Sequence, residues 1–331
     1  MFVEKENNLN ETNSPAEKAC RKALADAGFA FGTPVSFHWS QLTNPNGNKQ
    51  AAIDAYQALL DQEKESKSAL EGLGYLYQLL GHQSHAQHFR RKLKEVEAKE
   101  YVTEGSSQTE IVDYLLAKTG EAAMPERVPQ KFVAAHFDKY SEQFDVSLVD
   151  NLEYDGPNLV RQLVASMFSL ERKKLEVLDL GCGTGLVGET LSSYKKTLTG
   201  IDLSGAMLEK AAERDCYDTL IKNDCLSFLE EKSETFDLIT ASDVLIYLGN
   251  LSSLFALARE NLNQGGCFIF TVENTYDEDF RLSNTGRYQH NSSYIYSLAE
   301  QNNYQVVLEE QVALRKERSE VIDAKIFCLK V

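Results

Sequence analysis

The sequence predicts an α/β protein: an open, doubly wound, mostly parallel sheet preceded by an all-helical region. Three observations carry this. From about residue 131 to the end, short apolar runs of strand length alternate with segments of helical periodicity. Up to about residue 100 only the helical period is visible. After Pro157 there is no proline, which suits a long regular unit with both sheet faces covered.

Taken in order, residues 1–18 are rich in Asn, Glu, Ser and Thr and are expected to be flexible. Residues 19–100 form the helical domain and show a period near 34. Leu70, Leu73, Gly74, Tyr77, Gly81 and Ala86 fill one set of packing positions. Ala52 and Tyr56 fill the equivalent set one period earlier, with Trp39 and Leu42 as a weaker first helix. The small residues fit a close approach of paired helices. This stretch resembles one good and one degenerate tetratricopeptide repeat; a plain helical cap is the alternative. Residues 101–130 read as a linker, with a short helix in TEIVDYLLAKTG and then the loop EAAMPERVPQ, where Pro125 and Pro129 mark the boundary. In residues 131–331 the strands read as LEVLDL (175–180), TLTGIDL (197–203), FDLITAS (236–242) and GGCFIFTVE (265–273). YQVVLEEQVAL and VIDAKIFCLKV, joined by RKERSE, read as an edge hairpin.

Bulk composition narrows the function. A formal charge of −16 argues against nucleic acid as a partner, because phosphate binding needs a basic surface. Six scattered cysteines without a C-x-x-C pair suit a reducing cytoplasm and neither a disulfide framework nor a zinc site. The polar N-terminus does not read as a signal peptide, and no apolar run approaches the ~18 residues of a membrane span. His82, His85 and His88 share a helical spacing, but without a Cys or carboxylate set they are not read as metal ligands.

The chemistry centres on VLDLGCGTGLVGET (177–190), which has two registers. From Gly183 it gives G-x-G-x-x-G, a dinucleotide fingerprint; from Asp179 it gives D-L-G-C-G-T-G. The predicted strand ends at Leu180, so Gly183 comes two positions late for the first reading. A carboxylate at Asp179, near the end of a buried strand, needs a hydrogen-bonding or cationic partner. The ammonium group of S-adenosylmethionine (SAM) is such a partner, and a pyrophosphate is not. Gly188 then serves close packing of the following helix. Asp202, ending the second strand, is placed to accept ribose hydroxyls in either register. Asp224 follows the third strand and reads either as an adenine contact or as a helix N-cap.

Together these stretches resemble class I SAM-dependent methyltransferases: DLGCGTG, IDLS, NDC and FDLITASDVLIYL match the family motifs in order. HFDKYSEQFDVSLVDNLEYDGPNLV and the C-terminal GRYQHNSSYIYSLAEQNNYQVVLEEQVALRKE resemble a narrower group, predicted methyltransferases with N-terminal tetratricopeptide repeats. Asn303 stands where that group tends to have Gly, and Asn tolerates the left-handed turn. The resemblance implies a Rossmann-like sheet of seven strands, SAM as cofactor and S-adenosylhomocysteine as product. It places Asp179, Gly181, Gly183 and Gly185 around the methionine moiety and Asp202 on the ribose. Leu203 and Met207 pack on the adenine, and Asp224 and Cys225 border it. Tyr140 closes over the cofactor and Ser242 contacts the methionyl part through its backbone. For Met207 a plain core role is equally open.

Methyl transfer asks the protein for orientation and sometimes a general base. The catalytic candidates are Asp243 and Tyr247 after the fourth strand and Arg287 and His290 in NTGRYQH. His290 suits proton abstraction near neutrality, or is a capping or surface residue. Arg287 pairs with a substrate carboxylate, or with Glu273 or Asp277. Tyr154 is a further lining candidate. The expected function is methyl transfer to an oxygen or nitrogen of a small molecule, the helical domain capping the site or recruiting substrate. A peptide or protein acceptor held by the repeats, a non-catalytic SAM-binding adaptor and an NAD oxidoreductase are the alternatives.

Overall fold

The computed structural model describes residues 14–29, 46–145, 153–168, 174–231, 234–317 and 320–331. Trp39 and Leu42 lie outside them. Contacts divide the chain into two units: one runs up to Val102 and takes in Ser107–Ala122, and the other is Thr103–Ser106 with Ala123–Val331.

The first unit is helical: α1 (Pro15–Asp26), α2 (Lys49–Gln62), α3 (Lys67–Leu79), α4 (Gln83–Ala98) and α5 (Gln108–Ala117), each packed on the next. Helix α1 starts inside the stretch expected to be flexible, because Ser14 caps it, accepting from Glu17 N at 3.0 Å, and Pro15 sits at the first helical position. Asn48 and Ser107 cap α2 and α5 in the same way. The core gathers Leu24, Phe29, Ile53, Tyr56, Leu73 and Leu76. A Cβ on Gly72 would lie 2.6 Å from the Tyr56 ring, so the aromatic fills the space that the missing side chain leaves.

The second unit opens with α6 (Gln130–Tyr140), a 3₁₀ turn at Ser141–Gln143 and α7 (Gly156–Met167). Then follow β1 (Leu175–Leu180), α8 (Leu186–Leu191), β2 (Lys195–Asp202), α9 (Gly205–Glu213), β3 (Thr219–Lys222), α10 (Cys225–Glu231), β4 (Phe236–Ala241) and α11 (Ser252–Glu260). The chain closes with β5 (Leu262–Asn274), β6 (Phe280–Leu282), β7 (Tyr288–His290), α12 (Ser292–Gln301), β8 (Gln305–Glu317) and β9 (Glu320–Lys330).

Strands β3-β2-β1-β4-β5 run parallel in that order; β9 joins β5 antiparallel, and β8 joins β9. The sheet has nine strands and not the seven expected. The extra two are the short hairpin β6–β7, whose β7 pairs in parallel with Glu273 and Asn274 of β5. Glu273 also pairs with Ala324 of β9, so β7 occupies the β4 side of β5, beyond the point where β4 has ended. The hairpin therefore rises at the carboxyl ends of the parallel strands.

Both faces of the sheet are apolar, as buried parallel strands require. Leu178, Leu180, Ile239, Phe268 and Phe270 pack with Leu254, Phe255, Ile295 and Leu298 on one side. Leu175, Val177, Leu238 and Ile269 pack with Val160, Val164, Val187 and Leu191 on the other. Asn303 takes φ +56° just after α12, the left-handed turn expected there. Among the described residues no helix is long and apolar enough to cross a membrane.

Candidate active site

Strand β1 stops at Leu180 because the next residues cannot stay extended. Gly181, Gly183 and Gly185 take φ of +63°, +54° and +89°. At Gly181 a side chain would also overlap Val244, so this glycine lets the loop after β4 lie directly against the loop after β1. At Gly183 an added Cβ would meet nothing within 4 Å, so the backbone there presents an open face.

Asp179 lies beneath this loop, 1% exposed. Its oxygens accept from Tyr217 Oη and Thr240 Oγ1, each at 2.7 Å. The carboxylate thus has two hydroxyl partners within the protein. Burial outweighs these two bonds and pushes its pKa up to about 6. Gly188 in α8 is the reason Tyr217 fits: a Cβ there would overlap the phenol ring. Its close packing therefore serves Tyr217 rather than the sheet.

Asp202 ends β2. Its Oδ2 accepts from Gly183 N at 2.9 Å and its Oδ1 from Ser204 N at 2.8 Å, so one lone pair on each oxygen is still available. Burial pushes this carboxyl up to about 6 as well. Leu203 follows it half-buried, and Met207 is 1% exposed in the first turn of α9, its amide capped by Ser204.

Asp224 caps α10, accepting from Ser227 N at 3.3 Å, and forms an ion pair with Arg127. Of the two readings of this side chain, the cap is the one observed. Burial pushes the Cys225 thiol up to about 12. Ser242 Oγ lies 2.7 Å from the Tyr154 hydroxyl, which joins the segment before α7 to the end of β4.

Helix α6 and its 3₁₀ turn lie along these loops, held by three acids. Asp138 accepts from Ser204 Oγ at 2.5 Å and from Ala206 N at 3.3 Å. Glu142 pairs with Lys210 at 3.2 Å, and Asp145 takes both Thr184 Oγ1 and Arg214. Tyr140, between Asp138 and Glu142, is thereby placed beside the loop after β2.

Beyond β4 and β5 lies a buried ionic network. Arg315 of β8, 1% exposed, gives one guanidinium nitrogen to Asp243 and the other to Glu273. Arg287 Nη1 is 3.5 Å from Glu273 Oε1, which makes the structural ion pair the observed role of Arg287. Asp243 holds φ +60°, its amide donating to Thr271 Oγ1 at 2.8 Å. Tyr247 feels the charges of Arg287, Asp243, Arg315 and Glu273, and its phenol is pushed upward mainly by burial. Its ring meets Phe137 of α6 edge-on at 5.8 Å.

His290 does not stand in the open as a base. It is fully buried, with Nε2 2.9 Å from Leu248 O and 3.1 Å from Gly249 O. Two carbonyls at that nitrogen require it to carry the proton, and burial pushes the pKa down to about 4. The imidazole therefore ties β7 to Leu248 and Gly249, just after the turn at Leu245–Tyr247, and the general-base expectation for His290 is corrected. In the helical unit His85 stacks on Tyr77 at 4.9 Å. Among the described residues no group of His, Cys, Asp or Glu is arranged to hold a metal.

Sequence reasoning missed Tyr217, Thr240, Arg127, Glu273 as a charge centre, and Arg315. The first three act across long sequence separations without a local pattern. Glu273 is visible as a charge inside an apolar strand, a signal that can be read.

Residues 178–268 match the family described as "Methyltransferase domain". The "Ubiquinone biosynthesis O-methyltransferase" of Pasteurella multocida (strain Pm70) is 29% identical over 112 residues, 30% of this chain and 46% of that protein. The "18S rRNA (guanine-N(7))-methyltransferase" of Bos taurus is 39% identical over 102 residues, 31% of this chain and 35% of that protein. The chain thus spans less than half the length of these relatives. Among solved structures, the N-methyltransferase NodS from Bradyrhizobium japonicum WM9, in complex with S-adenosyl-l-homocysteine, is similar at TM-score 0.42 and 22% identity. That likeness covers 52% of this chain and 86% of that one.

Proposed function

We propose that this chain is a SAM-dependent methyltransferase acting on an oxygen or nitrogen of a small-molecule acceptor. The observation that carries the reading is the pair Asp179 and Asp202. Both carboxyls are pushed up to about 6 by burial, on either side of a glycine loop with an open face. A ligand bearing one cationic group and vicinal hydroxyls relieves both, and SAM has these groups. A dinucleotide pyrophosphate would add charge of the wrong sign beside Asp179.

When bound, SAM supplies an electrophilic methyl group on its sulfonium. The protein's part is placement. Gly181, Gly183 and Gly185 let the backbone approach the methionine moiety, with Ser242 on its far side. Asp202 accepts the ribose hydroxyls, and Leu203 and Met207 flank the adenine, bordered by Cys225 and the Asp224 cap. The α6 segment, Tyr140 included, excludes water from the pocket. Asp243 and Tyr247 face the acceptor, with Arg287 acting through Glu273.

The helical unit, read as short tetratricopeptide-like repeats, recruits the acceptor. The charge of −16 sets nucleic acid aside as substrate, and six free thiols suit a reducing cytoplasm. The test is isotope-labelled SAM incubated with a host extract and then split into protein and metabolite fractions. Label in metabolites supports this reading, label in protein favours a peptide acceptor, and label in neither favours an adaptor.

A further inference from the structure

Resting on the reading above, we propose that the acceptor is an amine, held in its ammonium form by the Asp243 carboxylate. Asp243 adjoins the donor site without forming part of it. It follows Ser242 and precedes Val244, the residue packed on Gly181 of the glycine loop. Two strand positions earlier than Ser242 is Thr240, which bonds Asp179.

The charge that this region shows to solvent is negative. Arg287 and Arg315, each with a side chain 1% exposed, and Glu273, at 4%, are sealed in the interior. Asp243, at 19%, is the member of this network that reaches solvent. The four formal charges cancel, and both terminal nitrogens of Arg315 are committed to carboxylates. The network therefore presents no net positive charge to an anionic acceptor. Arg315 instead fixes one Asp243 oxygen while the left-handed backbone, anchored through Thr271, aims the carboxylate.

The walls suit a cation too. Tyr247 and Tyr154 both sense the Asp243 charge, and Phe137, half-buried, meets the Tyr247 ring. Aromatic rings in the neighbourhood of a carboxylate favour an ammonium over a neutral hydroxyl. The charge of −16 favours approach of a cationic ligand.

In the transfer step the ammonium first releases one proton to solvent water. The freed nitrogen lone pair then bonds the methyl carbon, and the carbon–sulfur pair stays on sulfur. The product is a methylated ammonium and a neutral thioether.

The test is calorimetric titration with benzylamine, with benzyl alcohol as its uncharged isostere, and with benzoate. Benzylamine is expected to bind about tenfold or more tightly than the alcohol, with no binding of benzoate. Asp243→Asn should weaken benzylamine about 10- to 100-fold, Asp243→Glu should restore much of it, and both should bind SAM as the wild type does. Retained SAM binding shows that the variants are folded. Equal binding of the alcohol, binding of benzoate, no binding of benzylamine, or an unchanged affinity in Asp243→Asn overturns the proposal. Failure of the wild-type protein to bind SAM overturns the methyl-donor reading instead.

Discussion

Replacing Asp179 by Asn removes a buried charge while keeping the shape of the side chain. The carboxyl is 1% exposed and raised to about 6 by burial, against about 3.9 in an unfolded chain. A rise of about two units means about 3 kcal/mol of folded-state destabilisation at pH 7. Between pH 4 and 6 the folded state binds more protons at this carboxyl than the unfolded state does, so its contribution to stability falls as pH rises through that window. Above it the full penalty is present, and at pH 4 about 0.5 kcal/mol remains. Tyr217 and Thr240 keep a partner in Asp179→Asn, because hydroxyls rotate to accept or donate. Hydrogen exchange of the β1 and β4 amides reads the opening of this sheet without interference from the helical unit. Asp179→Asn is expected to raise their protection by 2–3 kcal/mol at pH 7 and by about 0.5 kcal/mol at pH 4, while SAM affinity falls about 100-fold or more. A gain that is absent at pH 7, or equal at both pH values, refutes the argument.

Three further outcomes follow from the same geometry. Arg315→Met strips Asp243 of its cation and leaves the buried Glu273 with Arg287 alone, and should destabilise the sheet by about 3–5 kcal/mol, read by the same exchange measurement. His290→Gln should leave the pH profile of turnover unshifted, because the imidazole holds two carbonyls and no substrate proton. Its folded pKa of about 4 lies below the unfolded ~6.5, so its contribution to stability is present above that window and falls as pH drops through it, by about 3 kcal/mol in all. His290→Gln should flatten that acid limb of the stability profile. Arg214→Ala frees the Thr184 carbonyl of the glycine loop and leaves Asp145 with Thr184 Oγ1 alone; SAM dissociation in stopped flow should quicken several-fold at low salt, and the difference from wild type should shrink at high salt.

Much of the parallel sheet was readable because its strands are apolar on both faces and end at a carboxylate or a glycine. β1 shows this, its apolar run stopping at Leu180 before Gly181, while β2 is apolar only toward its end at Ile201 and stops at Asp202. Asp179 and Asp202 stood out as candidate site residues for the same reason, since a charge at a buried strand end has to be accounted for. The hairpin β6–β7 was not legible: three-residue strands carry no periodicity, and their pairing depends on where β4 stops. That hairpin decides His290, whose side chain turns inward with Tyr288. Arg315 was hidden by an irregularity in β8 between Ala313 and Lys316, which buries Leu314 and Arg315 in succession. Strict alternation puts Arg315 on the outer face with Ala313, in what reads as a charged turn.

The central claim is that the loop after β1 and the end of β2 hold a methyl donor. Calorimetry with SAM, S-adenosylhomocysteine and NAD, on the wild-type chain and on Asp202→Ala, tests it most directly. The account predicts binding of SAM and S-adenosylhomocysteine but not NAD, and loss of both in Asp202→Ala. Binding of NAD, or an Asp202→Ala chain that holds SAM as tightly as the wild type, contradicts it.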